Sequence, residues 1–483
     1  MASTYLFSRM FFMDMVQLIP SPERILERAL CIANSVIAGR RRQMIDMTRS
    51  QRDFDIDPIT GFVPSKPLPR LSAEYELWEQ ALLDGLDNIK LGEDTSDQAI
   101  AARPAAERWR STVSTWPVLS IDKILRNRAL ACRAHLVLAW LVHLYVHSIP
   151  PMAEPEPIKV PACLAVPLVA VSRHLGIAPV LTFADTVLWN WELINPEGPV
   201  TIDNMRFLHA FSGTEDEYNF YKVSATVELH GANILRFIDE YNNLPNLRDT
   251  TAIFKVACDL RNLTTVIEEL ASIMQSVRPI VDPHVFYWDM RPWFEGSDAK
   301  GPSGHGWIYE GAEQSHKLDL SGPSAGQSTA MHALDVFLDI DHKLRQRRYP
   351  APSEENKRAD HGFMQRMRRY MPGKHRQYLE HLEATPRSIR ELAQSTPMLR
   401  EPYNNAVMAL KRLRDSHMRI ACLYVVTMSH SVPDARSGCP ASQMLKRLEE
   451  SRASGKGPVR GTGGNELSLL LKAGRDATRR AAL

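Results

Sequence analysis

Apolar positions recur at spacings of three and four along most of this chain, and strict apolar–polar alternation is nearly absent, so the predicted elements are helices. From "LWEQALLDGL" onward the helical period persists. Ser120 and Asp122 are candidate N-caps for a helix running to about His147, which Pro150 and Pro151 stop. Further helical patterns lie near 163–192, 216–241, 250–277, 284–293, 325–346, 361–371, 375–394 and 400–430. Proline supplies the punctuation. "IPPMAEPEPIKVP", Ile149 to Pro161, holds five prolines in thirteen residues and reads as a crossing between two parts. The chain is therefore predicted all-α: a helical appendage over 1–52, a small helical domain over 53–155 and a large helical bundle over 156–483. The appendage ends in "GRRRQ", and the small domain opens on the proline- and aspartate-rich lead-in "DFDIDPITGFVPSKPLPRL".

Three of these helices carry polar groups on apolar faces. In "KRLRDSHMRI" a histidine stands where the pattern asks for a core residue: His417 shares its stripe with Ala406, Leu410, Leu413, Ile420, Ala421 and Tyr424. It reads either as a core histidine satisfied by a carbonyl or as a ligand to a metal or haem iron. In "EYNFYKVSATVELHGANI", Phe220, Ser224, Val227 and Gly231 share a face, and the glycine marks close approach of a neighbouring helix or a ligand. In "HVFYWDMRPWF", Tyr287 and Arg291 share a face. The arginine either snorkels to the surface or points inward as the partner of a carboxylate. Between helices, "SGPSAGQSTAMHALDVFLDI" has Gly322, Ala325 and Gly326 to let backbone approach a ligand, with Ser324 or Ser328 as a hydroxyl or N-cap. Neither that segment nor "RGTGGN" continues into Gly-Lys-Ser/Thr, so nucleotide binding is rejected for both.

Composition narrows the class. A chain of 483 residues with 44% hydrophobic content can bury one large core or two ordinary ones without a disulfide or metal staple. Six scattered cysteines with no C-x-x-C spacing point to a reducing compartment, and the cytoplasm is the expected location. The net charge of +2 gives no long-range reason to bind nucleic acid or an acidic membrane, and "LVLAWLVHLYV" is too short to be read as a membrane span. His143 and His147 stand at i, i+4, a chelating spacing without a third ligand, so a solvated or structural role is preferred. The basic "RRYMPGKHR", Arg368 to Arg376, is read as a solvated face rather than a phosphate site.

Nine passages, in order, then match one family: "DFDIDPITGFVP", "LSIDKILRNRA", "ADTVLWNW", "FYKVSATVELHGA", "GWIYEG", "PSAGQST", "MRRYMPGKHRQYLE", "LRDSHMRIA" and "GTGGNEL". From about residue 53 to the end, the chain resembles the indoleamine 2,3-dioxygenase family, most of all its fungal members. These are haem enzymes that open the indole ring of tryptophan.

The resemblance implies haem b as cofactor, L-tryptophan or a related indoleamine and O2 as substrates, and N-formylkynurenine as product, on the route towards NAD. It implies His417 as the iron ligand, with Arg414 and Asp335 as the polar pair bracing the haem and its ligand helix. Phe220, Tyr221 and Ser224 match pocket positions above the iron. Phe286 and Arg291 match the aromatic and the arginine that meet the substrate. Ser324 and Ala325 match the segment beside the haem edge, and Thr462 matches a loop that closes over the site. Phe183 and Thr186 stand where animal members carry tyrosine and cysteine, and Pro323 replaces a glycine, removing a backbone donor. A monomer is expected. Two alternatives stand beside ring opening: a family member that binds O2 or another indole at low activity, and a haem-free helical interaction module.

Overall fold

The computed structural model describes residues 53–152, 156–297, 306–313, 318–342, 354–431 and 466–483, with side chains from 361 in the fifth span. The expected 1–52 appendage and the Thr462 loop lie outside these residues. Within them the chain is helical: α1 Glu76–Asn88, α2 Asp97–Ser114, α3 Arg128–His147, α4 Ala162–Leu175, α5 Glu215–Asn242, α6 Thr250–Gln275, α7 Thr329–Phe337, α8 Glu354–Met367, α9 Gly373–Ala384, α10 Ile389–Ser395, α11 Pro397–Ala421 and α12 Leu467–Ala481. Besides an isolated bridge between Asp57 and Gly61, the β structure among the described residues is two short pairs. Strand β1 (Ile158–Val160) runs parallel to β4 (Trp307–Tyr309), and β2 (Trp191–Leu193) runs antiparallel to β3 (Met205–Phe207).

Several predicted boundaries move, each for a local reason. The cap of α3 is Asn127, not Asp122: its side chain accepts from the amides of Ala129 (2.9 Å) and Leu130 (3.3 Å), while Asp122 opens a separate single turn. The pattern read as one helix over 163–192 breaks after Leu175, where Gly176 takes a left-handed φ of +68°. The chain then re-forms as a π-helical turn, Ala184–Leu188. The predicted 375–394 helix splits into α9 and α10, with Ser388 capping the second through Glu391 N at 3.2 Å. Of the described cysteines, Cys132, Cys163 and Cys422 are free thiols, whereas Cys258 is disulfide-bonded, against the reduced set expected from scattered spacing.

Helix α3 is apolar on all sides because it runs through a core, with every residue from Ala131 to Leu144 buried. By length and composition it could cross a membrane, which the shorter run read from the sequence did not show, yet protein surrounds it. Trp140 stacks on Phe211 (4.0 Å between centroids), and Phe211 stacks on Trp293 (5.1 Å). His143 Nδ1 donates to the Trp293 carbonyl (2.7 Å) and His147 Nε2 to that of Glu295 (2.8 Å). The histidine pair is thus spent on backbone oxygens, as the structural reading expected, and it fixes the Arg291–Phe294 turn.

Two large cores result. The first gathers around α3 and takes residues from both sides of the 149–161 crossing, among them Trp78, Leu164, Phe183 and Trp293. The second gathers around the α6–α11 pair, the most extensive helix contact, with Ile267, Leu334 and Leu410. A small third cluster of Val277, Val281 and Tyr424 sits beside them. Where the three meet, one cavity opens.

Candidate active site

The cavity holds about 390 Å³, within the range of small-molecule sites, and its wall is overwhelmingly apolar. Its lining includes every predicted site residue that the structure describes: Phe183, Thr186, Phe220, Tyr221, Ser224 and Phe286, then Arg291, Ser324, Ala325, Asp335, Arg414 and His417. Thr462 is outside the described residues. Helix α12 contributes Leu467, Leu470 and Gly474, so the C-terminus closes one side.

His417 sits on α11 with Leu413, Ile420 and Ala421 of the predicted stripe, and Tyr424 follows on the π-helical turn Cys422–Thr427; all line the same cavity. Its imidazole is enclosed by protein, and the accessible area it keeps faces the cavity. Among the described residues it has no hydrogen-bond partner. Burial, and then the charge of Arg414, push it below the ordinary histidine range, so the ring is a neutral nitrogen base. An unpartnered neutral imidazole in an apolar chamber is costly unless something binds it. A core histidine would need a carbonyl partner, and among the described residues none is present.

One turn earlier, Arg414 Nη2 grips both oxygens of Asp335, at 2.6 and 2.5 Å. The second Asp335 oxygen also takes a bond from His342 Nε2 (2.8 Å), while Arg414 Nη1 reaches the Thr478 hydroxyl and the Gly474 carbonyl (3.4 Å) on α12. Burial works to raise the Asp335 carboxyl, but the Arg414 and His342 charges outweigh it and hold it well below the usual carboxylate range. The pair therefore ties α7, α11 and α12 together behind the His417 stripe. His342 and Thr478 were not found from the sequence. Thr478 lies 143 residues from Asp335 with no periodic relation to it, whereas His342 stands at i+7 within the predicted 325–346 pattern and was overlooked, although the helix itself ends at Phe337.

Part of the wall is aromatic. Phe220 and Phe286 lie 5.2 Å apart between centroids, and Phe286 meets Tyr424 edge-on at 5.6 Å. The polar groups there are turned inward to the protein. Ser224 Oγ donates to its own helix at Phe220 O (2.9 Å), and Thr186 Oγ1 makes long contacts to Thr182 O (3.3 Å) and Phe183 O (3.4 Å). Tyr221 presents its ring, while its hydroxyl donates to buried Glu217 (2.6 Å). Burial, reinforced by Glu217, pushes that phenol far above its ordinary range.

Arg291 lines the cavity, which settles the choice between snorkelling and pointing inward. Its Nη1 bonds Glu295 Oε1 at 2.6 Å, and its guanidinium lies 5.3 Å from the Tyr287 ring. Ser324 caps a short turn through Gly326 N (3.2 Å). The glycines of this segment do approach something closely, but it is protein. A Cβ at Gly322 would lie 1.7 Å from the Phe294 carbonyl oxygen, and one at Gly326 would lie 2.6 Å from the Phe363 ring. Gly231 likewise marks helix packing, with Ala330 of α7 at 3.0 Å. Gln327, missed in the sequence, staples the segment across the cavity wall: its Oε1 accepts from Phe183 N (2.8 Å) and its Nε2 donates to Gly322 O (2.9 Å).

The basic run from Arg368 is solvated at Arg369, whose side chain is 68% exposed, and otherwise pairs within the protein. Arg368 pairs with Glu383 (2.7 Å), Lys374 with Asp55 (3.0 Å), and Arg376 donates to Gly176 O (3.0 Å).

The family model described as "Indoleamine 2,3-dioxygenase" matches residues 50–481. The chain belongs to the indoleamine 2,3-dioxygenase family. It is 31% identical over 438 residues to rat indoleamine 2,3-dioxygenase 1, covering 90% of this chain and 96% of that protein. With the indoleamine 2,3-dioxygenase of Saccharomyces cerevisiae it shares 29% over 455 residues, 88% and 92% of the two chains. With the 6-hydroxytryptophan 2,3-dioxygenase of Fusarium equiseti it shares 27% over 436 residues, 89% and 97%. The protein is accordingly a haem-dependent dioxygenase, all-α as expected. The site fits that cofactor: an apolar chamber, one neutral imidazole lacking a partner, and a braced arginine beside it.

Proposed function

We propose that this enzyme opens the indole 2,3 bond of L-tryptophan to give N-formylkynurenine, the opening step of a kynurenine route towards NAD. The observation that carries the reading is Arg291, a cavity-lining guanidinium next to the paired rings of Phe220 and Phe286. A flat indole packs against those rings, and the amino-acid carboxylate takes the arginine. His417 is the residue that would hold the iron, and the Arg414–Asp335 pair keeps its helix in register. The haem supplies the activation of dioxygen and the oxygen insertion. This chain's residues contribute orientation and exclusion of water: Phe220 and Phe286 fix the plane of the indole, and Arg291 fixes its position. No side chain of the aromatic wall is a strong base, since the Ser224 and Tyr221 hydroxyls are committed to protein acceptors.

The test is turnover of L-tryptophan with ascorbate and a redox mediator, read as N-formylkynurenine absorbance, alongside 6-hydroxytryptophan and tryptamine. Arg291→Leu raises the KM for L-tryptophan at least tenfold with haem content intact. An unchanged KM overturns the pose, and turnover confined to the hydroxylated indole overturns the substrate. The proposal extends to a cytoplasmic monomer that binds neither nucleic acid nor membrane, checked by sedimentation and cell fractionation; the pairing of Arg368, Lys374 and Arg376 within the protein supports only the lack of a phosphate site there, and the Cys258 disulfide weighs against a reducing compartment.

A further inference from the structure

Glu228 stands on α5 one turn beyond Ser224, lines the cavity and is 1% exposed. One carboxyl oxygen, Oε1, takes a hydrogen bond from the Ser328 hydroxyl, and the other, Oε2, has no partner. Ser328 is itself the N-cap of α7, accepting from Met331 N at 3.4 Å, and it ends the irregular segment that carries Ser324 and Ala325. We propose that Glu228 is a positioning residue of the haem site: as an uncharged acid it latches the Ser324–Ser328 segment to the helix bearing Phe220 and Ser224, and ionisation releases the latch.

The chemistry follows from what surrounds it. A carboxylate with one bare oxygen in an apolar wall is an uncompensated buried charge, whereas the acid needs no counter-ion. Among the described residues no charge lies near enough to Glu228 to stabilise its ionised form. Burial drives it up to about 7, and the Ser328 bond opposes this less strongly. On facing α7, burial pushes His332 down to about 4, so it is already neutral, and Asp335 is tied up by Arg414 and His342. Burial keeps His417 on α11 neutral as well. On α5 itself, His230 turns away to Glu269 (2.7 Å). Glu228 is thus the carboxyl of this wall whose proton is gained or lost near neutrality, and the remaining titratable group that lines the cavity, His342, is bonded to Asp335 rather than to Glu228. Because the folded protein holds that proton more tightly than an ordinary glutamate, the latch is fully made below pH 4.5 and is lost as pH rises through about 7.

The inference rests on the cavity being the haem and substrate chamber, and its test does not require turnover. Haem-loaded full-length protein is mixed with excess haem-free scavenger globin at pH 6 and pH 8, and haem transfer is followed in the Soret band. Wild type is expected to release haem at least threefold faster at pH 8 than at pH 6. Glu228→Gln, an uncharged isostere, keeps the slow rate at both, and Ser328→Ala is fast at both. Infrared difference spectra should show a protonated carboxyl band in wild type at pH 6 that fades at pH 8 and is missing from Glu228→Gln. Wild-type pH dependence persisting in Glu228→Gln, or no such band in wild type at pH 6, overturns the proposal. A chain that fails to open tryptophan still passes or fails both measurements.

Discussion

Replacing Asp335 by asparagine keeps the shape of the side chain and removes the charge that Arg414 grips. In the wild type that carboxylate takes two bonds from Arg414 and one from His342 with 4% of its side chain exposed, so the substitution leaves a guanidinium only 16% exposed facing a neutral amide. Breaking one partner of such a buried pair costs about 3–5 kcal/mol, because the surviving charge is uncompensated. At about 2.1 cal/mol/K of unfolding entropy per residue, 483 residues give about 1 kcal/mol/K, so the midpoint should fall by about 3–5 °C. Scanning calorimetry of the haem-free chain measures this directly. Arg414→Met removes the orphaned cation, so the double variant should lie well above the sum of the singles, with a coupling of about 2 kcal/mol or more. Additive losses would refute the claim that the two residues act as one brace across α7, α11 and α12. The pH dependence has a definite sign as well. Asp335 is held below its ordinary value of 3.8, so its contribution is present above that pH and is lost as acid drives the carboxyl through its depressed value; Asp335→Asn lacks that acid-side loss.

His417→Ala should abolish the Soret band after haem reconstitution while moving the melting midpoint of the haem-free chain by less than about 2 °C, since the ring surrenders no hydrogen bond. A large fall in that midpoint would restore the reading of His417 as a packing residue. Glu295→Gln removes an anion that already occupies one nitrogen of Arg291, so the KM for a carboxylate-bearing indole should fall by about fivefold, on the order of 1 kcal/mol, with tryptamine little affected. A raised KM would show instead that Glu295 aligns the arginine rather than competing for it.

What could be read from the chain alone, and what could not, divides by the range of the interaction. The His417 stripe and the Phe220–Ser224 face are local facts of helical period, whereas the period left Arg291 free to snorkel or to point inward, and only the structure places it at the same cavity. Glu228 was legible by the same rule, since it lies four residues past Ser224 and eight past Phe220, and its charge on that face was the overlooked signal. The glycines misled in part, because a missing Cβ signals close approach without saying of what, and at Gly231, Gly322 and Gly326 the visitor is protein. Closures across 60 residues or more, such as Arg414 to Thr478 or Phe183 to Gln327, leave no trace in period or composition. They nevertheless decide the chemistry. Thr478, Glu217 and Gln327 satisfy the polar groups that would otherwise face into the chamber, and the imidazole of His417 is left with a nitrogen for which the described residues provide no partner. A helix pattern can place a histidine on a core face, but only the completed set of distant hydrogen bonds shows that this one is kept for a ligand.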